Sequence, residues 1–155
     1  MNVFFKKLDH FDKSFSLPSF ESDQAAGADL RACFEDKTGI EIKPWQRVLI
    51  PTGLSVRFDG EFEIQIRPRS GLSLKTPLII PNSPGTIDAD YRGEIKIILA
   101  NMSDDDFFIS HGDRVAQMVF SRIYRPVFQE VTELDQTSRG TKGFGSSGLN
   151  SEVVR

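Results

Sequence analysis

The sequence predicts an all-β protein: a jelly-roll-like β-barrel with at most one short helix and a flexible C-terminal arm. Three observations predict it. Many short segments alternate apolar and polar residues, turn signals separate them at regular spacing, and no window sustains helical periodicity for three turns. Composition agrees, with thirteen phenylalanines, twelve glycines and eight prolines in 155 residues.

The elements follow in order. Val3 to Leu8, Ile40 to Lys43, Arg47 to Ile50 and Leu54 to Phe58 read as short strands. In the next, Phe62, Ile64 and Ile66 face one way, while Glu61, Glu63, Gln65 and Arg67 face the other. Ser70 to Lys75 predicts one or two helical turns with Ser70 as N-cap. Glu94 to Ala100 starts by alternating and ends apolar, as a strand entering a deeper core does. Arg114 to Phe120 predicts another strand, with Gln117 a polar interruption. Pro44, Pro51, Gly53, Asp59-Gly60, Pro81, Pro84-Gly85 and His111-Gly112-Asp113 mark the turns. The pattern ends near Glu133, so residues 1–132 are expected to form the barrel and 133–155 the arm.

Composition excludes several classes. The net charge of −3 argues against broad nucleic-acid binding, which needs a basic surface. No apolar run reaches membrane-spanning length, and the first residues lack the apolar core of a secretory signal. One cysteine, Cys33, rules out a disulfide framework and suits a reducing cytoplasm. His10 and His111 stand far apart with no cysteine nearby, which disfavours zinc; any metal is expected to be a hard cation. The Asn101-Met102-Ser103 sequon reads as accidental.

Five clusters carry chemistry. Arg139 to Gly148 holds two cations, two serines and four glycines around Phe144. It cannot build a core, but its bare N–H groups can wrap an anion while the phenyl ring stacks on a flat base. Within it, Gly143 to Gly148 spells G-x-G-x-x-G but follows no strand and opens no helix, and no Walker loop exists. Pro68-Arg69-Ser70-Gly71 reads either as an anion site or as a capped turn. Asn82 to Gly93 reads as a hairpin, with Asn82 suited to a base edge and Asp88 to general-base work. Gln117 either satisfies backbone groups or donates to a ligand. Asp29, among the small residues Ala26 to Ala32, makes either a structural hydrogen bond or a metal-linked water contact.

In this order and spacing, from Ala26 to Gly148, the five clusters resemble the five motifs of the trimeric dUTPase family, the deoxyuridine triphosphate nucleotidohydrolases. The resemblance implies the dUTPase-like β-clip fold and a homotrimer whose active sites are shared between subunits, each closed by a C-terminal arm. It implies hydrolysis of dUTP to dUMP and pyrophosphate, limiting uracil in DNA and supplying dUMP for dTMP synthesis. Asp88 would activate the water. Tyr91 would pack on the deoxyribose and exclude a 2′-hydroxyl. Asn82, Thr86, Ile87 and Lys96 would hold uracil. Arg69, Ser70, Gly71 and Gln117 would bind phosphates. Arg139, Gly145, Ser146 and Ser147 would clamp the distal phosphates, with Phe144 on the uracil. Mg2+ would ride on the phosphates and water, touching Asp29 only through water. Two places depart from the pattern: Thr76-Pro77-Leu78 replaces a glycine-containing turn, and Lys142 stands where glycine is common. Rival readings are a dCTP deaminase-like enzyme and a non-catalytic nucleotide-binding module of the same fold.

Overall fold

Alternation in Phe62–Arg67 translates directly into packing: Ile64 and Ile66 are buried and Arg67 is exposed. The computed structural model describes residues 1–142. It divides into Met1–Tyr124 and Arg125–Arg155. Among the described residues, the first unit holds every strand and the one helix: β1 Phe4–Lys7, β2 Ala28–Arg31, β3 Gly39–Ile42, β4 Arg47–Pro51, β5 Leu54–Arg57, β6 Phe62–Arg67, α1 Ser70–Lys75, β7 Leu78–Ile79, β8 Gly85–Ile87, β9 Lys96–Asn101, β10 Phe107–Ser110 and β11 Arg114–Arg122. Among the described residues no helix is long and apolar enough to cross a membrane.

All pairings between these strands are antiparallel. They form sheets ordered β2-β11-β6-β8, β4-β9-β7, β1-β5 and β10-β3. One core joins all four sheets. Leu30, Ile42, Ile50, Val56, Ile64, Leu78, Ile97, Ile109 and Met118 come from nine different strands and all belong to a single cluster. The jelly-roll-like all-β expectation holds.

Three local expectations change. Ser70 is the first helical residue, not the cap; the cap position falls to Arg69, which makes no side-chain cap bond. Its guanidinium is committed to Asp29 instead. The Asn82–Gly93 segment is not a paired hairpin, because β8 pairs with β6 whereas β9 pairs with β4 and β7. The chain after the turn is drawn onto residues 52–54: Ile95 N–H donates to the Leu54 carbonyl at 2.8 Å, and Thr52 Oγ1 donates to the Ile95 carbonyl at 2.6 Å. Third, β2, β7, β8 and β10, of two to four residues each, are strands beyond the segments expected as such.

Thr76 accounts for one departure from the glycine-containing turn. Its N–H and its Oγ1 both donate to the Leu72 carbonyl, at 3.0 and 2.8 Å, and Oγ1 then accepts from Leu78 N–H at 3.2 Å. A hydroxyl thus ends α1 in extended backbone, and Pro77 cannot continue the helix. Asn101 is fully buried with its Nδ2 donating to the Ile42 and Asp105 carbonyls, so the sequon nitrogen is engaged inside the fold.

Candidate active site

The turn after β8 places the acid. Tyr91 N–H donates to the Asp88 carbonyl at 3.1 Å, closing a tight turn that leaves the Asp88 side chain exposed. Behind it, Gly85 backs onto Asn82, whose Nδ2 lies 2.9 Å from where a Cβ would stand. A cavity of about 290 Å³ opens there. Asn82, Thr86, Ile87, Asp88, Tyr91 and Lys96 line it together with Leu49, Glu94 and Ile98. Six residues expected at the base, sugar and water thus share one concavity. Its wall mixes apolar Leu49, Ile87 and Ile98 with amide, hydroxyl and charged groups, as a site for a polar ring requires.

Tyr91 is held across the main chain. Its hydroxyl donates to the Glu94 carbonyl at 3.0 Å. A Cβ on Gly93 would meet the Tyr91 ring, so only glycine lets the phenol lie there. Arg92 fastens the turn from outside, with Nη1 donating to the Ala89 and Tyr91 carbonyls at 2.7 and 2.9 Å. Lys96 Nζ lies 3.4 Å from Glu94 Oε2.

A second cluster gathers where β6 ends. Arg69 Nε donates to Asp29 Oδ1 at 2.7 Å, and Arg114 Nη1 donates to Asp29 Oδ2 at 3.1 Å. Asp29 therefore makes the structural bonds, with one oxygen on each guanidinium. Arg69 Nη1 also donates to the Arg114 carbonyl at 3.4 Å. Gln117 resolves in favour of the backbone within this chain, since Nε2 donates to the Pro68 carbonyl at 2.9 Å. A Cβ on Gly27 would strike the Gln117 amide, so that glycine makes room for it. Ser70 and Gly71 are exposed, and the space around Gly71 is open. None of Arg69, Ser70, Gly71 or Gln117 lines the Asp88 cavity. One chain brings the expected residues together as two clusters, not one.

In the second unit, Arg139 is exposed, and its Nε donates to the Lys142 carbonyl at 3.0 Å. Gly140 N–H donates to the Thr137 carbonyl at 3.0 Å, with φ of +53°. Phe144, Gly145, Ser146 and Ser147 lie outside the described residues. Sequence reasoning gave no role to Glu94 or Arg114. Arg114 shares a cluster with Gln117, and Glu94 heads an apolar run one residue after Gly93; those neighbourhoods were the available signals.

Glu94 is strongly anchored. Burial pushes its carboxyl up, but hydrogen bonds from Gly53 N–H, His10 and Lys96 outweigh that and hold it below the ordinary glutamate value of 4.5.

Known proteins share this fold. The dUTPase family model matches residues 13–148. The deoxyuridine 5'-triphosphate nucleotidohydrolase of Rickettsia bellii (strain OSU 85-389) is 51% identical over 144 residues, 93% of this chain and 93% of its own length. That of Brucella melitensis biotype 2 (strain ATCC 23457) is 46% identical over 142 residues, 92% of this chain and 90% of its own. The dUTPase of Staphylococcus bacteriophage 80alpha, solved with dUPNHPP, superposes with a TM-score of 0.83 at 27% identity, covering 96% of this chain and 99% of that one. By sequence across most of its length, and by fold, the chain belongs to the dUTPase family.

Proposed function

We propose that this protein is a dUTP diphosphatase, hydrolysing dUTP to dUMP and pyrophosphate. The observation that carries the reading is the shared cavity, in which Asp88 stands beside Asn82, Thr86, Ile87, Tyr91 and Lys96. Relatives of 46–51% identity bear the name of that activity. The consequence for the cell is less uracil in DNA and a supply of dUMP for dTMP synthesis.

Asp88 takes a proton from a water, whose oxygen attacks the α-phosphorus. The bond from that phosphorus to the bridging oxygen breaks, and pyrophosphate leaves with the electron pair. Asn82, Thr86, Ile87 and Lys96 hold the uracil. Tyr91 lies against the sugar and leaves no room for a 2′-hydroxyl. Arg69, Ser70, Gly71 and Gln117 hold phosphate oxygens; Arg69 is already oriented by Asp29. Positioning and charge compensation supply most of such a barrier reduction.

Mg2+ fits this chemistry as a companion of the triphosphate, since among the described residues no group of three or more carboxylates, histidines or cysteines could hold it and Asp29 already serves two guanidiniums. Bound to phosphate oxygens, it neutralises their charge. The separation of the Arg69 cluster from the Asp88 cavity supports a site shared between subunits, one subunit's cluster meeting another's cavity in the homotrimer that the family resemblance implies. Residues 133–155 act as the arm that completes the site, with Arg139, Gly145, Ser146 and Ser147 on the distal phosphates and Phe144 on the uracil. The setting is cytoplasmic.

The test offers dUTP, dTTP, dCTP and UTP in turn, with magnesium, and measures pyrophosphate. Release is expected from dUTP and very little from the others. Ammonia from dCTP, or dUTP binding without turnover, overturns the reading.

A further inference from the structure

Glu94 lines the cavity, where its Oε2 lies 3.4 Å from Lys96 Nζ, yet its other carboxylate oxygen turns to a different part of the fold. Oε1 accepts from Gly53 N–H at 2.8 Å, from Thr52 N–H at 3.1 Å and from His10 Nε2 at 3.0 Å. The side chain is only 11% exposed. A charged oxygen that satisfies two backbone donors is a strong fastening. The β4–β5 turn is shaped to offer those donors: Gly53 has φ of +68°, and Phe11 Cα lies 3.0 Å from where its Cβ would stand. The next residue repeats the attachment through Ile95 N–H and the Ile95 carbonyl, both bonded to residues 52–54.

The other end of Glu94 serves the cavity. Its main-chain carbonyl is the acceptor for the Tyr91 hydroxyl at 3.0 Å. The carboxylate therefore fixes the strip of main chain that in turn fixes the phenol ring.

We infer that Glu94 is a positioning residue for sugar discrimination: it holds Tyr91 at the angle that closes the pocket against a 2′-hydroxyl. The inference rests on the role proposed above for Tyr91. Glu94 touches no substrate. It acts by keeping the Glu94 carbonyl in place, so that Tyr91 can tilt away from a larger sugar only by giving up its hydroxyl's bond to that carbonyl.

The test measures kcat and KM with dUTP and with UTP, in magnesium, for the full chain and for Glu94→Ala, Glu94→Gln, Tyr91→Phe, Tyr91→Ala and the Glu94→Ala/Tyr91→Phe double variant. Glu94→Ala is expected to lower the preference for dUTP over UTP about tenfold, the scale of one lost hydrogen bond to a charged group. The change should lie mainly in KM. Glu94→Gln keeps an amide oxygen for Gly53 and Thr52 and should hold the preference within about threefold. Tyr91→Phe should lower it comparably, and adding Glu94→Ala should then change it no further. Should Glu94→Ala not fold, Glu94→Asp, one methylene too short to meet both amides, carries the same expectation.

Equal loss of dUTP and UTP turnover in the Glu94 variants, with preference intact while Tyr91→Ala loses it, overturns the inference and leaves the Tyr91 role standing. An additive double variant overturns it as well. Preference unchanged in Tyr91→Ala overturns the Tyr91 role and this inference together.

Discussion

Arg69 Nε lies 2.7 Å from Asp29 Oδ1, which joins residues 40 apart in sequence. The guanidinium expected to meet phosphate is thus aimed by a carboxylate before any ligand arrives. Asp29→Ala leaves Arg69 and Arg114 facing each other without their shared anion. The expected result is a stability loss of about 1 kcal/mol, the scale for partly exposed charge-assisted bonds, and a raised KM for dUTP. Urea unfolding and steady-state kinetics check the two halves. An unchanged KM would show that Arg69 does not depend on Asp29 to meet phosphate.

Asp88→Asn tests the chemical step. The side chain is exposed, and the turn is closed by its backbone carbonyl, so the fold should be untouched. A fall in kcat of roughly 10²–10⁴-fold is expected for loss of a general base, with KM and Tm little changed. Turnover within a few-fold of the parent would place the base elsewhere.

Truncation tests the arm. A chain ending at Ser138 keeps β1 to β11 and α1, which all lie within Met1–Tyr124. Far-ultraviolet circular dichroism should retain its β signal while dUTP turnover nearly vanishes. Loss of the β signal would make the tail a structural element.

Acid stability follows from two carboxylates. Glu94 is held below 4.5 as described. Ser14 N–H and the Lys37 ammonium hold Asp12 well below its ordinary 3.8. Both groups bind protons less readily folded than unfolded. Their contribution is full above those ordinary values and is lost as pH falls below them. The Tm should therefore drop on acidification from pH 5 towards pH 3. Glu94→Gln should start lower at neutral pH and fall less steeply, so the two curves converge. Parallel curves would show that Glu94 has no such linkage.

How much of this was legible beforehand depends on the range of each interaction. The strand at Phe62–Arg67 announces itself because alternation is a property of neighbours. The resemblance of the five clusters named in advance residues that gather around the Asp88 cavity and around Asp29. The hairpin reading of Asn82–Gly93 failed because it treated the segment as self-contained. In the fold, β8 is claimed by β6, and the chain beyond the turn by residues 52–54.

The sequence by itself determined the all-β class, the apolar face of each longer strand, the tight turn carrying Asp88, and which residue types could handle a nucleotide. Only the tertiary structure decided that Asp29 orients Arg69, that Gln117 leans on Pro68, that Glu94 rests on Gly53 and His10, and that Arg69 is absent from the wall of the Asp88 cavity. The physical reason is one of distance along the chain. Periodicity and turn chemistry act over a few residues, whereas these bonds join groups 40 to 84 positions apart. Such partners are brought together by four sheets packed on one common core.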